Sequence, residues 1–83
     1  MPATTQLTLI NRIGCHLCDD MRDALAAFAT ELDFTWQELD VDADAELLAR
    51  FNVDVPVLLL GDREICHHFF DLAALRDALA DRA

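Results

Sequence analysis

Residues Cys15-His16-Leu17-Cys18 set two thiols three positions apart, between a strand-like run at Leu7-Thr8-Leu9-Ile10 and a long helical pattern that starts at the first cysteine. No other stretch constrains the fold as much. Residues i and i+3 are neighbours on a helix, with Cβ atoms about 5–6 Å apart. A disulfide needs about 3.5–4.5 Å between them. Closure is easiest when the first cysteine sits at the helix start, where its backbone need not be helical. Gly14 supplies freedom for the turn just before it. Free N–H groups and a partial positive charge at a helix start favour an anion. Cys15 is therefore expected to have a lowered pKa and to be the nucleophile. Cys18, one turn further in, is expected to be less exposed and to act as the resolving thiol. His16 when protonated, and Arg12, are candidate cations that tune Cys15; Asp19 and Asp20 help the helix start but oppose a thiolate.

The 83 residues fit one domain spanning 1–83, without repeats, linkers or low-complexity stretches. A chain of this size buries only about 60% of its unfolded surface. Its 54% apolar content nevertheless supplies a core without staples. A net charge of −10 argues against nucleic acid and anionic membrane surfaces as partners. It leaves a solvated acidic surface that would steer toward a basic partner. The start, Met1 to Gln6, lacks a basic segment followed by an apolar one, so no signal peptide is expected. The apolar run Val55–Leu60 falls far short of the roughly 20 residues of a membrane span. A cytoplasmic protein is the expectation. Three cysteines fit poorly with a secreted disulfide framework, and a CxxC near a βαβ pattern reads instead as a redox pair.

Along the chain, Leu17, Met21, Leu25, Phe28 and Leu32 recur at helical spacing and define one face, and Asp33 ends the pattern. Phe34 to Val41 reads as a strand. Phe34 and Trp36 share one face and Leu39 and Val41 the other, which predicts a strand covered on both sides or a bulge. Asp42 is the expected N-cap of a short helix holding Leu47, Leu48 and Phe51, broken by Asn52-Val53-Asp54. Val55 to Leu60 reads as a buried strand with Pro56 near its start, where a missing N–H is tolerated. Gly61-Asp62 signals a hairpin, and Arg63 to His67 is the return strand. Leu72, Leu75 and Leu79 mark a last helix, with Arg76 and Arg82 late in it. The order β-α-β-α-β-β-α implies an α/β fold: a four-stranded mixed sheet with helices on both faces, in three layers. The CxxC then lies at the carboxyl end of the first strand, where open α/β sheets usually bind ligands.

These residues together resemble a small glutaredoxin-like protein of the thioredoxin superfamily, of a group with a Cys-His-Leu-Cys-type motif. The likeness covers nearly the whole chain. It implies a thioredoxin-like fold and thiol–disulfide oxidoreductase activity, with Cys15 and Cys18 as nucleophilic and resolving thiols. It also implies that Pro56 is cis and faces the thiols, that Val55 offers its backbone to a substrate peptide or glutathione, and that Arg12 is the basic residue glutaredoxins often carry there. The chain has His16-Leu17 where glutaredoxins usually have Pro-Tyr. It has His67-His68-Phe69-Phe70-Asp71 where they have a Gly-Gly pair and a following acidic or hydroxyl residue that hold glutathione, a role Asp71 would match. No cofactor is required on this reading, and glutathione is a candidate co-substrate. Expected partners are protein or small-molecule disulfides, with glutathione or a thioredoxin reductase system as electron source.

Other chemistry-bearing residues have plainer readings. Cys66, in the apolar return strand, reads as a core thiol. His67 and His68 read as polar residues at a strand end, and Trp36 and the phenylalanines as core. Asp40, Asp42 and Asp44 imitate a calcium loop, but Ala45 and Phe51 stand where it needs glycine and glutamate, so a solvated cap-and-turn is expected. Cys15, His16, Cys18, Cys66, His67 and His68 are metal-ligand types without a standard spacing, and no metal site is expected. The competing functions are a binding adaptor of the same fold that docks through its acidic face, and a metal or iron–sulfur carrier.

Overall fold

The computed structural model describes residues 5–81. Arg82, and Met1 to Thr4 of the leading segment, lie outside the described residues. Strand β1 (Thr5–Asn11) leads to helix α1 (His16–Leu32), then strand β2 (Phe34–Asp40), helix α2 (Ala45–Phe51), strands β3 (Val57–Leu60) and β4 (Arg63–His67), and helix α3 (Leu72–Ala80). This is the expected order. A 3₁₀ turn, Val41–Ala43, joins β2 to α2.

The sheet order is β2-β1-β3-β4. β1 and β2 run parallel with unbroken register from Thr5↔Phe34 to Asn11↔Asp40, so β2 has no bulge. Val41, expected in β2, is instead buried in the 3₁₀ turn. β3 runs antiparallel to both neighbours. The irregularity lies between β3 and β4, at Leu58/Leu59. The hairpin joining them turns on Gly61, whose φ of 60° is the left-handed geometry glycine accepts without a Cβ clash.

Period-two alternation divides the core between the two faces of the sheet. Leu7, Leu9, Phe34 and Leu58 point to one face and pack against Met21 and Leu25 of α1 and Leu75 and Leu79 of α3. Ile10, Val57 and Leu59 point to the other and pack with Val41 and Phe51, with Leu47 of α2 against them. The molecule is therefore three layers: α1 and α3, the sheet, and α2. Phe28 of α1 stacks on Phe70, the rings 5.8 Å apart and 11° from parallel. Trp36 is only partly buried at the edge of the first cluster. The buried face of α1 includes Cys18 alongside Met21 and Leu25, and Leu17 sits at its margin. Among the described residues, no helix is long and apolar enough to cross a membrane.

Two expected boundaries shift. Asp42 does not cap α2; Asp44 does, its side chain accepting from the N–H groups of Glu46 at 2.8 Å and Leu47 at 3.2 Å. Asp40 caps the 3₁₀ turn through the Asp42 N–H at 2.9 Å, which leaves the Asp42 carboxylate for another partner. The strand expected from Val55 begins at Val57, and the Val55–Pro56 peptide just before it is cis.

Candidate active site

One edge of the sheet collects the carboxyl ends of β1, β2 and β4 and the start of β3: Asn11 pairs with Asp40, Ile10 with Val57, and Val57 with His67. Four connections meet there, at residues 12–15, 41–44, 52–56 and 68–71.

The first connection carries the thiols. Gly14 turns with φ of 80°, a conformation any side chain would strain. Cys15 follows with extended backbone and is the N-cap of α1. Its Sγ accepts the Cys18 N–H at 3.1 Å, and its carbonyl accepts the Asp19 N–H at 3.2 Å. The cysteine thus takes the place usually held by serine, threonine or aspartate at a helix start. Cys15 is half-buried, whereas Cys18 is 1% exposed. Burial, reinforced by a side-chain interaction between the two thiols, pushes the Cys18 thiol up to about 11; the Arg12 backbone N–H pulls the other way. Cys15 therefore keeps partial access to solvent while Cys18 is enclosed and protonated at neutral pH. Both are free thiols. Their disposition is the one the sequence motif calls for.

His16 opens α1 as an exposed residue. Arg12 has a different environment from the one expected. Its Nε and Nη2 donate to the two Asp42 carboxylate oxygens at 2.9 and 3.1 Å. Nη1 donates to the Asn52 carbonyl at 3.2 Å and Nη2 to the Asn52 side-chain oxygen at 2.6 Å. The Asp42 carboxylate raises the guanidinium pKa, and the guanidinium lowers that of Asp42. Cys15 is near enough to add a lesser attraction to Arg12. The arginine is thus first a clasp between three connections, and only secondarily a cation near sulfur. Asn52 is a site residue the sequence reading missed; a polar residue in a helix-breaking stretch gave no sign of a partner 40 positions away.

Val55 is half-buried and Pro56 buried. Asp71 is exposed and caps α3, accepting the Ala74 N–H at 3.0 Å, so its carboxylate already has a structural partner. Cys66 is half-buried against the first core cluster, and burial raises its thiol pKa against a backbone hydrogen bond from Asp71. His67 Nδ1 lies 3.1 Å from Glu64. Among the described residues, no three His, Cys, Asp or Glu side chains are grouped to hold a metal ion.

Residues 6–80 match the family described as glutaredoxin-like domain (DUF836). The chain belongs to this glutaredoxin-like family. An uncharacterised protein of Mycobacterium tuberculosis is 35% identical over 80 residues, covering 90% of this chain and 82% of the relative. The solution structure of protein Ne2328 from Nitrosomonas europaea superposes with a TM-score of 0.83 at 29% identity, covering 94% of each chain. A structural-genomics target protein from X. campestris matches at 35% identity and TM-score 0.67, over 93% of this chain and 99% of that one. Thioredoxin 1 from Thermosipho africanus, 19% identical with a TM-score of 0.60 over 90% of this chain and 94% of that one, shows that the glutaredoxin-like chain has the thioredoxin fold.

Proposed function

We propose that this glutaredoxin-like protein is a thiol–disulfide oxidoreductase of a reducing, cytoplasmic compartment. The observation that carries the proposal is the asymmetry of the CxxC pair: a half-exposed Cys15 sulfur accepting a helix-start N–H at 3.1 Å, with buried Cys18 behind it. That N–H and the first turn of α1 lie against the sulfur that attacks.

The Cys15 thiolate attacks one sulfur of a disulfide R–S–S–R′. A Cys15–S–S–R bond forms, the S–S bond of the substrate breaks, and R′S⁻ leaves and takes a proton from water. Cys18 then gives up its proton and attacks Cys15 Sγ. RSH departs, and the Cys15–Cys18 disulfide remains. The substrate gains two electrons and the protein loses two. A thiol or dithiol reductant, such as glutathione or a thioredoxin reductase system, restores the dithiol. No resident cofactor enters this exchange. Val55, whose backbone N–H and C=O make no backbone hydrogen bond among the described residues, offers an open edge for an extended disulfide-bearing segment. Pro56 stands beside it.

The test is single-turnover reduction of bis(2-hydroxyethyl) disulfide by pre-reduced, desalted protein. Cys15→Ser abolishes thiol release, and Cys18→Ser stops at a mixed disulfide visible by intact mass. Equal activity in wild type and both variants would remove the proposal, and an inert wild type would leave a binding adaptor.

A further inference from the structure

His68 has a backbone conformation that histidine seldom adopts, with φ of 64°. A non-glycine residue persists there only where its surroundings over-determine it. Two ties do so here. The His68 N–H donates to the Pro56 carbonyl at 2.8 Å, extending the β3–β4 ladder one step past Val57↔His67. The ring Nε2 lies 2.9 Å from the Val53 carbonyl, 15 residues away in sequence, and so carries the donated proton. The same residue therefore holds both ends of Val53–Pro56. The His67 ring meets it edge-on at 4.9 Å.

That segment has few ties of its own. The Asp54 N–H reaches back to Phe51 at 2.9 Å, and Pro56 has no N–H to give. Arg12 holds Asn52 from the thiol side. His68 is the matching clasp from the opposite side, in the turn between β4 and α3.

We propose that His68 is a positioning residue for substrate: its left-handed backbone and its ring together hold Val53–Pro56 so that the Val55 peptide edge stands ready beside the nucleophile's connection. This rests on the oxidoreductase reading. Among the described residues the ring's hydrogen bond goes to Val53 and not to either reacting sulfur, so its role falls on docking and not on the chemical step. A substrate that docks as an extended chain on Val55 depends on the clasp, because a loosened segment must be ordered at the moment of binding. A small dialkyl disulfide without a peptide backbone does not.

The experiment uses pre-reduced full-length protein in stopped-flow single turnovers. One substrate is a pair of disulfide-linked, extended peptides, and the other is bis(2-hydroxyethyl) disulfide. His68→Gly accepts the same φ and keeps the N–H to Pro56, so thermal melting is expected to show a folded protein. The half-saturating peptide concentration rises about fivefold, the loss of one hydrogen bond, with the maximal rate unchanged. Turnover of the small disulfide is unmoved. His68→Gln, whose amide N–H can reach the Val53 carbonyl, recovers most of the peptide affinity. An active wild type with an unshifted half-saturation in His68→Gly overturns the role of His68 alone. Equal slowing of both substrates also overturns it, by showing general damage. A wild type that reduces neither substrate overturns the oxidoreductase reading and this inference with it.

Discussion

The backbone N–H of Cys18 donates to Cys15 Sγ at 3.1 Å, so a single sulfur both caps α1 and heads the CxxC pair. These duties separate by substitution. Serine is a strong N-cap, and alanine is not. Cys15→Ser is expected to lose thiol chemistry at little cost in stability. Cys15→Ala is expected to lose the chemistry and about 1 kcal/mol besides. Urea unfolding of the two variants under reducing conditions measures this. Equal midpoints would show that the sulfur contributes nothing as a cap.

The burial difference between the thiols predicts an order of modification. Iodoacetamide at pH 7 alkylates Cys15 first. Cys18, 1% exposed with its thiol pushed up to about 11, and Cys66, half-buried with its thiol also raised, lag behind. Peptide mapping after short exposure reads the order directly, and early modification at Cys18 would contradict it.

The same shift has a stability consequence. An unfolded thiol ionises near pH 8.5, and folded Cys18 only near about 11. Between these values the unfolded chain sheds its proton first, so the reduced protein loses stability as pH rises through that window. Cys66 adds to the slope in the same direction. Below the window both states are protonated and the term is flat. Cys18→Ala is expected to show a shallower decline over pH 8–11, and an unchanged slope would count against the raised thiol.

Arg12 joins the connection before Cys15 to Asp42 and Asn52, residues 30 and 40 positions away. Arg12→Gln removes the fork that grips two carboxylate oxygens at once. The expected result is faster hydrogen exchange at the Asp54 N–H, with the exchange of β1 and β3 core amides little changed. Asp42→Asn is expected to give a smaller effect of the same kind, since the Asn52 contacts survive. Exchange that rises uniformly across the sheet would mean the pair supports the whole fold rather than this edge.

The architecture was legible because it follows from local periodicity. Helical spacing marked α1 and α3, and Gly61-Asp62 marked the hairpin that β3 and β4 form. The division of β1 between two clusters follows from adjacent Leu9 and Ile10 pointing to opposite faces. Position-specific partners were not legible. Three aspartates at alternate positions each suit a cap, and only the fold decides that Asp40 and Asp44 cap while Asp42 receives Arg12. His68 carries no turn signature, since glycine or asparagine is the usual sign of a left-handed backbone. Its conformation is imposed by tertiary bonds to Val53 and Pro56, which no local pattern encodes.

Glu38 offers a test in acid. Its carboxylate accepts from Asn11 at 2.7 Å, Trp36 at 3.2 Å, and Arg22 through Nε at 3.0 Å and Nη2 at 2.8 Å, while Arg22 also reaches Asp19 at 2.9 Å. The network ties the end of β1, the outer face of α1 and the edge strand β2. The Arg22 guanidinium, then the Trp36 and Asn11 donors, hold Glu38 below the ordinary carboxylate range, with partial burial opposing them. A depressed carboxylate contributes stability above its unfolded pKa of about 4.3, and that contribution is lost as pH falls through the lower folded value. The side chains of Arg22 and Glu38 are 39% and 32% exposed, so solvent screening keeps the term small. Glu38→Gln is expected to cost about 1 kcal/mol at pH 7. The gap to wild type narrows as the pH falls below 4, because protonation makes the wild-type side chain neutral as well. Urea midpoints for both proteins from pH 7 down to the acid limit of folding measure it. A gap that stayed constant or widened in acid would show that the glutamate acts through its shape alone.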